Sequence, residues 1–162
     1  MSLLPWWKGA RGEWYVAIQG GLFLLLVLGP RTLSGFPVWS ASYYWLSVMV
    51  GGLLLILGGV LSLAGMMKLG VNLTPLPYPK EESILVETGP YRWARHPIYS
   101  GVILAAFGWG LWVQGWLTLG YAFLLFIFFD IKSRREERWL SEKFPGYSIY
   151  QRRVRKLIPF IY

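Results

Sequence analysis

The stretch GPYRWARHPIYSG, residues 89–101, lies immediately before an apolar run and contains the only histidine of the chain. Pro97 suits the first position of a helix, because an N–H at that position would lack a helical partner anyway. His96 would then lie at the helix entrance, where free N–H groups and the positive end of the helix dipole favour an anionic group. Gly89 and Pro90 predict a turn before it. Alone, the stretch fits a basic loop that anchors a helix at a membrane interface, and it also fits a binding site.

The composition around this stretch is typical of an integral membrane protein. Of the 162 residues, 55% are hydrophobic, and these occur in long blocks. A net charge of +8 and ten tryptophans suit a protein whose ends face anionic headgroups. Because the basic residues flank the apolar blocks, nucleic-acid binding is disfavoured. The absence of cysteine and the single histidine argue against disulfides, cysteine nucleophiles and a transition-metal site.

Four apolar stretches predict about four transmembrane helices in one domain over residues 1–162. The second stretch is long enough to cross a bilayer, whereas the third and fourth are near the lower limit and form a helical hairpin. A signal peptide is the alternative for the first stretch, but no small-residue cleavage site follows it. The predicted spans are residues 13–29, 43–69, 97–113 and 116–132.

Spacing within these stretches predicts further helix features. Gly52, Gly59 and Gly65 predict a face for close helix packing, either within the chain or against a second copy, so the oligomeric state is open. The fourth stretch ends without a helix breaker, and its helix is expected to continue to Lys143. The charge pairs that support this continuation at i,i+4 spacing are Asp130/Arg134, Lys132/Glu136 and Arg138/Glu142.

The basic residues are distributed unequally between the two sides that four spans create. Of sixteen Lys and Arg residues, only Arg31 falls on the side opposite the N-terminus, the connector and the tail. The positive-inside rule therefore predicts cytoplasmic N- and C-termini, with a cytoplasmic connector at residues 70–96 and a cytoplasmic tail at 133–162. The connector is the longest polar insertion and the natural place for a water-accessible site.

A second charged cluster, RREER at residues 134–138, follows the fourth span. A solvated helix face is the simplest interpretation. Helical spacing puts Glu136 and Glu137 on different stripes, so one can face His96 while the other stays in water. Together the clusters offer groups for a carboxylate, an ammonium and an onium cation, all of which S-adenosylmethionine carries. S-adenosylmethionine is one of several ligands that fit these groups. A Rossmann-type methyltransferase is excluded, because the sequence has no glycine-rich fingerprint after a strand.

The ordered motifs G-P-Y-R-x-x-R-H-P-x-Y-x-G, R-R-E-E, F-x-x-Y-x-x-Y-x-x-R-V and a terminal I-P resemble the isoprenylcysteine carboxyl methyltransferase family, which is related to the phospholipid methyltransferases. The similarity covers roughly residues 68–162. It implies an all-α integral membrane enzyme whose cytoplasmic pocket is built from the connector and the C-terminal helices. Such an enzyme binds S-adenosylmethionine and admits a lipophilic substrate from the bilayer.

The resemblance also assigns roles to individual residues. Its cofactor-binding positions are His96, Pro97, Tyr99, Glu136, Glu137, Tyr91, Tyr147 and Tyr150, and one glutamate of the acidic pair is expected to hold the cofactor. Its basic positions, where a carboxylate of the substrate or of the cofactor could be paired, are Arg92, Arg95 and Arg153. Because the chain is much shorter than the eukaryotic protein-modifying members, we expect a lipophilic or small amphipathic acceptor.

Within this resemblance, O-methylation of an isoprenylcysteine-like carboxylate is favoured, and a phospholipid or other N- or S-methyltransferase is the alternative. A further alternative is an NADPH-dependent reductase of the sterol-reductase type, which has a similar R-H-x-N-Y segment. This chain has Pro97 and Ile98 before Tyr99 and lacks the asparagine. A non-enzymatic membrane scaffold is the third hypothesis.

Overall fold

The computed structural model describes residues 11–36, 39 and 41–158, and within these ranges the chain is helical. The prediction of an all-α fold is confirmed: the described residues contain no β-strand, only an isolated bridge between Ala94 and Arg155. The α-helices are α1 Glu13–Leu28, α2 Tyr44–Leu69, α3 Pro97–Trp112, α4 Trp116–Lys143 and α5 Tyr147–Arg153. Short 3-10 turns occupy Ala41–Tyr43, Gly70–Asn72 and Gly89–Arg92.

Helices α1 to α4 coincide with the four predicted apolar stretches. Two of them, α2 with its flanking turns and α4, are long and apolar enough to cross a membrane. Helices α1 and α3 are apolar but have only 16 residues each, short of the roughly 20 that a full crossing needs. The number of crossings therefore stays a prediction.

Helix α4 continues beyond its apolar part, as predicted, and ends at Lys143. The pair between Arg134 and Asp130 forms, with an N–O distance of 2.8 Å. The predicted pair between Lys132 and Glu136 does not form, because Lys132 turns into the protein and donates to partners on other segments.

Helices α2 and α3 share the most extensive interface, and glycines make it close. Gly51, Gly58 and Gly65, each one heptad apart, are buried on the face of α2 that meets α3. A Cβ at Gly58 would lie 2.4 Å from the carbonyl oxygen of Gly101. The predicted face was wrong at Gly59, where an added Cβ would meet no described atom beyond its own helix backbone within 4 Å. In the described chain, the glycine face packs internally.

The rest of the apolar core lies between α3, α4 and the tail, and α1 covers one side of it. The rings of Tyr15 and Phe23 on α1 contact Phe128 and Phe129 of α4. The buried core residues are Ile103, Ala106, Ala122, Leu125, Phe128, Phe129 and Leu157.

The tail returns from α5 along the entrance of α3. The N–H of Arg95 donates to the carbonyl of Arg155 at 2.8 Å, and the N–H of His96 donates to that of Lys156 at 3.1 Å. The hydroxyl of Ser100 donates to the carbonyl of Leu157. These bonds hold the start of α3 between the tail and α4, and so position the residues of the opening motif.

Candidate active site

A cavity of about 320 Å³ lies at the entrance of α3, where residues of the 89–101 stretch meet Glu136 of the second charged cluster. Its walls come from the connector, the first turn of α3, the polar half of α4, the start of α5, and one residue each of α1 and α2. The sequence-predicted residues that line it are Tyr91, Arg95, His96, Tyr99, Glu136, Tyr147 and Tyr150. Most of the predicted site residues are thus brought together.

His96 is the N-cap of α3 and is 6% exposed, with Pro97 at the first helical position as predicted. Its ring nitrogens point to two different carboxylates. Nε2 lies 3.1 Å from Oε1 of Glu137, and Nδ1 lies 3.7 Å from Oε2 of Glu136. The ring also stacks parallel to that of Tyr99, with centroids 5.3 Å apart.

The expectation that one glutamate faces His96 while the other stays in water is therefore wrong. Neighbouring residues of a helix project about 100° apart. His96 lies between the two directions and presents one nitrogen to each carboxylate, so both glutamates face it. Their side chains are 25% exposed at Glu136 and 11% at Glu137.

Glu137 is the centre of a buried hydrogen-bond network. The Nε of Arg95 donates to Oε1 at 2.7 Å, and the side-chain amide of Gln151 donates to Oε2 at 3.1 Å. Burial by itself raises the pKa of Glu137, but the bonds from His96 and Arg95 outweigh it and lower the pKa to about 2. The carboxylate is thus ionised and committed to protein partners.

Glu136 has more capacity for a ligand. Its carboxylate accepts a hydrogen bond from the hydroxyl of Tyr99 at 2.8 Å and lies in the cavity wall. The Tyr99 ring also stacks on that of Phe129, with centroids 4.5 Å apart, which fixes the tyrosine. A carboxylate oriented in this way can accept from an ammonium or from hydroxyl groups.

Three further tyrosines close the cavity from the side of α5 and the connector. The hydroxyl of Tyr150 donates to the carbonyl of Tyr91 at 2.6 Å, which ties α5 to the turn before α3. The hydroxyl of Tyr147 is fully buried and has no hydrogen-bond partner among the described residues. Burial, together with the nearby Glu137 carboxylate, raises the pKa of Tyr147, so its phenol keeps its proton. Buried hydroxyls nearly always have a partner, and the described residues supply none for this one.

Of the three predicted arginines, Arg95 alone lines the cavity, and Pro97 does not line it. Arg95 lines the cavity, but it donates to Glu137 and to the backbone carbonyls of Gln151 and Val154. Arg92 and Arg153 do not line it: Arg92 is exposed, and Arg153 pairs with Glu87 outside the cavity.

Pro97 packs instead towards Gly65 of α2. The terminal I-P motif is described only as far as Ile158. The substrate-binding role that the resemblance implies for the arginines stays a prediction, and their geometry gives it no support.

The cavity residues that the sequence analysis did not assign to the site include Gln19 and Lys132. Nζ of Lys132 donates to Oε1 of Gln19 at 2.6 Å, which links α4 to α1. The amide of Gln19 stands alone in the apolar run of residues 14–28, and this isolated polar group was the available indication.

Comparison with known proteins assigns the family. The family model for phospholipid methyltransferases matches residues 46–146, which is more than half of the chain and includes His96 and both glutamates. The chain belongs to the phospholipid methyltransferase family.

Relatives within this family agree with the resemblance seen in the motifs. The chain is 38% identical to the protein-S-isoprenylcysteine O-methyltransferase of Saccharomyces cerevisiae over 72% of its own length and 50% of the yeast protein. It is 30% identical to a probable protein-S-isoprenylcysteine O-methyltransferase of Oryza sativa subsp. indica, over 73% and 64% of the two chains. The chain thus spans about half to two thirds of these curated relatives.

A solved structure supports the same family fold. The eukaryotic intramembrane Ras methyltransferase ICMT superimposes with a TM-score of 0.60 at 25% identity, over 99% of this chain and 55% of the other. The fold is therefore that of an intramembrane methyltransferase, and the chain is an integral membrane protein.

Proposed function

We propose that the protein transfers a methyl group from S-adenosylmethionine to a lipophilic or small amphipathic acceptor at the cytoplasmic face of the membrane. An isoprenylcysteine-like carboxylate is the favoured acceptor. The observation that carries the proposal is the Tyr147 side chain, which lines the cavity together with Glu136 and whose buried hydroxyl has no hydrogen-bond partner among the described residues. A ligand with both donors and acceptors satisfies the two groups together.

The residues present fit this cofactor. The Glu136 carboxylate suits its ammonium or ribose hydroxyls, and the Tyr147 hydroxyl suits an acceptor or donor on the same molecule. The remaining wall is mostly apolar and includes the rings of Tyr91 and Tyr150, which suit an adenine and a sulfonium. When bound, S-adenosylmethionine supplies a methyl group already activated on sulfur.

The protein's own contribution under this proposal is positioning and exclusion of water. His96 holds both carboxylates in place from the N-cap of α3, and Arg95 neutralises Glu137. A carboxylate acceptor is ionised at neutral pH and needs no general base, so His96 is a positioning residue. An amine acceptor would first have to lose a proton, for which His96 or a glutamate would be required.

A second cavity supports the lipophilic nature of the acceptor. It has a volume of about 380 Å³ and lies between α2, α3, α4 and the tail, within the apolar part of the molecule. Its walls are almost entirely hydrocarbon, with Ile103, Phe107 and Phe126 among them. Such a wall suits an alkyl or isoprenoid chain.

A methyl-transfer assay tests the proposal. Purified protein is incubated with radiolabelled S-adenosylmethionine and N-acetyl-S-farnesylcysteine, and the label extracted into organic solvent is counted. We expect transfer by the wild type, a loss of at least about tenfold in Glu136→Gln, and no change in Arg138→Gln, which alters an exposed residue two positions away. NADPH consumption without methyl transfer would favour a reductase and contradict the proposal.

A further inference from the structure

The buried ammonium of Lys132 has no part in the mechanism above. Its side chain is 1% exposed, yet it lines the same cavity as Glu136. Its Nζ donates to the side-chain amide of Gln19 at 2.6 Å and to the carbonyl of Pro75 at 3.0 Å. Both partners are neutral, and no described carboxylate lies within ion-pair distance of Nζ. The Glu136 carboxylate, one helical turn away, acts on Nζ only from beyond ion-pair distance. A buried cation with no anion in direct contact among the described residues is costly, which points to an anion supplied by a ligand.

Lys132 lies at the membrane side of the cavity. It is one helical turn before Glu136 on α4 and directly follows the apolar part of that helix. Its Nζ is 5.3 Å from the centre of the Tyr99 ring, and Gln19 joins it from the apolar helix α1. A lipophilic acceptor that enters from the bilayer therefore reaches Lys132 before it reaches Glu136 or His96.

The charges of the cavity favour the same ligand. The charges of two basic side chains at the cavity, Arg95 and Lys132, are equal in number to those of the two carboxylates, Glu136 and Glu137, although Lys132 contacts neither carboxylate. S-adenosylmethionine adds one net positive charge, because it carries a carboxylate, an ammonium and a sulfonium. In a cavity of low dielectric constant, an anionic acceptor cancels this charge, whereas a neutral amine does not.

We propose that Lys132 binds the ionised carboxylate of the acceptor, in place of the neutral amide of Gln19, and thereby selects carboxylates over amines. This inference rests on the proposed function. In the transfer, a carboxylate oxygen uses a lone pair to form the new O–CH3 bond, while the S–CH3 bond breaks and its electron pair stays on sulfur. A cation and an anion become a neutral thioether and a neutral ester, and no proton is exchanged.

Binding measurements separate the acceptor from the cofactor. The full-length protein in detergent is titrated by calorimetry with N-acetyl-S-farnesylcysteine, with its uncharged carboxamide, and with S-adenosylhomocysteine. We expect Lys132→Gln to weaken binding of the carboxylate probe by about thirtyfold, the size expected for a lost hydrogen bond between charged groups. Affinity for the carboxamide and for S-adenosylhomocysteine stays unchanged, and Lys132→Arg restores binding of the carboxylate. The matched control is Lys68→Gln, an exposed lysine on α2 that does not line the cavity.

A second variant keeps Lys132 and changes its partner. Gln19→Glu has nearly the same shape as the wild type but places a carboxylate beside Nζ. This internal carboxylate competes with the acceptor, so we expect the carboxylate probe to bind about tenfold or more weakly. Affinity for S-adenosylhomocysteine stays at the wild-type value.

Three results would overturn the inference. The first is equal affinity of the wild-type protein for the carboxylate and the carboxamide, a comparison that needs no variant to fold. The second is unchanged binding of the carboxylate probe by folded Lys132→Gln. The third is an equal loss of S-adenosylhomocysteine binding in Lys132→Gln, which would assign Lys132 to the cofactor. If the wild type binds no S-adenosylhomocysteine at all, the proposed function itself is contradicted.

Discussion

Glu136 and Glu137 are neighbours in the sequence and both contact His96, but their surroundings give them different roles. Glu137 is the partner of the buried Arg95 and accepts from Gln151 as well. Glu136 accepts only from Tyr99 among the hydrogen bonds of the described chain, and it borders the cavity. We therefore expect Glu137 to act mainly on stability and Glu136 mainly on cofactor affinity.

Substitution of each glutamate by glutamine separates these roles. Glu137→Gln leaves a buried arginine without its counter-ion and is expected to cost about 3 kcal/mol of unfolding free energy. Glu136→Gln is expected to cost less than about 1 kcal/mol, because its side chain is partly exposed, while affinity for S-adenosylhomocysteine falls. Thermal unfolding and calorimetry of both variants in the same detergent measure the two quantities. Equal effects of the two variants on both quantities would contradict the assignment.

The lowered pKa of Glu137 predicts how stability depends on pH. The folded-state pKa is about 2, below the ordinary value of 4.5. The unfolded chain therefore binds the proton more tightly than the folded protein does. The stabilisation that ionised Glu137 contributes is fully present above the ordinary pKa, and it is lost as the pH falls towards the folded-state pKa. We expect the difference in melting temperature between the wild type and Glu137→Gln to shrink over this range. A difference that is independent of pH would contradict the network around Glu137.

The unpartnered hydroxyl of Tyr147 predicts opposite effects on the free and the bound protein. Tyr147→Phe removes a buried polar group without a partner, so the ligand-free protein is expected to be as stable as the wild type or up to about 2 kcal/mol more stable. Affinity for S-adenosylhomocysteine is expected to fall about fivefold or more. Tyr150→Phe is the control, because it loses a bond to Tyr91 and should destabilise the ligand-free protein. If Tyr147→Phe destabilised the ligand-free protein as much as Tyr150→Phe does, this interpretation would be contradicted.

At the scale of elements, α2 and α3 are the most closely packed pair, and backbone contact at glycines is the reason. Gly58 of α2 and Gly101 of α3 face each other so closely that a Cβ on either would meet the carbonyl oxygen of the other at 2.4 Å. Gly59, the next residue, faces open space. Because α3 carries His96 at its start, this interface also supports the site.

Substitution of Gly58 and of Gly59 by alanine gives a matched comparison. Alanine favours a helix over glycine by up to about 1 kcal/mol, so Gly59→Ala is expected to be neutral or stabilising. Gly58→Ala gains the same propensity but forces two backbones apart, and overpacking of this kind costs about 1–3 kcal/mol. The melting temperatures of the two purified variants test the difference. Equal tolerance of both substitutions would contradict the packing of α2 on α3.

The sequence predicted the helices well because their determinants are local. Apolar blocks define α1 to α4, Pro97 starts α3, and the polar extension of α4 follows from the absence of a breaker. The glycine face was predicted on α2 but with the wrong middle residue, since Gly58 and Gly59 are adjacent and only the direction of the partner helix decides between them.

The site could be predicted only where its residues belong to recognisable motifs. The contact of Lys132 with Gln19 joins residues 113 positions apart, and no local pattern encodes it. The i,i+4 spacing to Glu136 even suggested a surface pair instead. The shared contact of both glutamates with His96 likewise depends on how α3 meets α4, which spacing along one helix does not determine.

At the scale of the whole molecule, the charges and the cavity predict one orientation. Most of the cavity groups and twelve of the sixteen Lys and Arg residues belong to the connector, the polar half of α4 and the tail, while Arg31 lies in the loop between α1 and α2. The positive-inside rule therefore predicts that the cavity faces the cytoplasm, where S-adenosylmethionine would be available under the proposed function.

The lack of native cysteine makes this orientation directly measurable. Single cysteines are introduced at Ser34, exposed in the loop after α1, and at Ser148, exposed on α5. In intact cells with an accessible outer face, a membrane-impermeant maleimide should label Ser34→Cys, whereas Ser148→Cys should react only after permeabilisation. Labelling of Ser148→Cys in intact cells would contradict the orientation.

The central claim is that the cavity between α3, α4 and α5 binds S-adenosylmethionine through the groups around His96. Calorimetric titration of the purified wild-type protein and of Glu136→Gln with S-adenosylhomocysteine tests it most directly. We predict saturable binding with a dissociation constant on the order of micromolar and a clear loss of affinity in the variant. An absence of binding by folded wild-type protein, or equal affinity of the variant, would contradict the account.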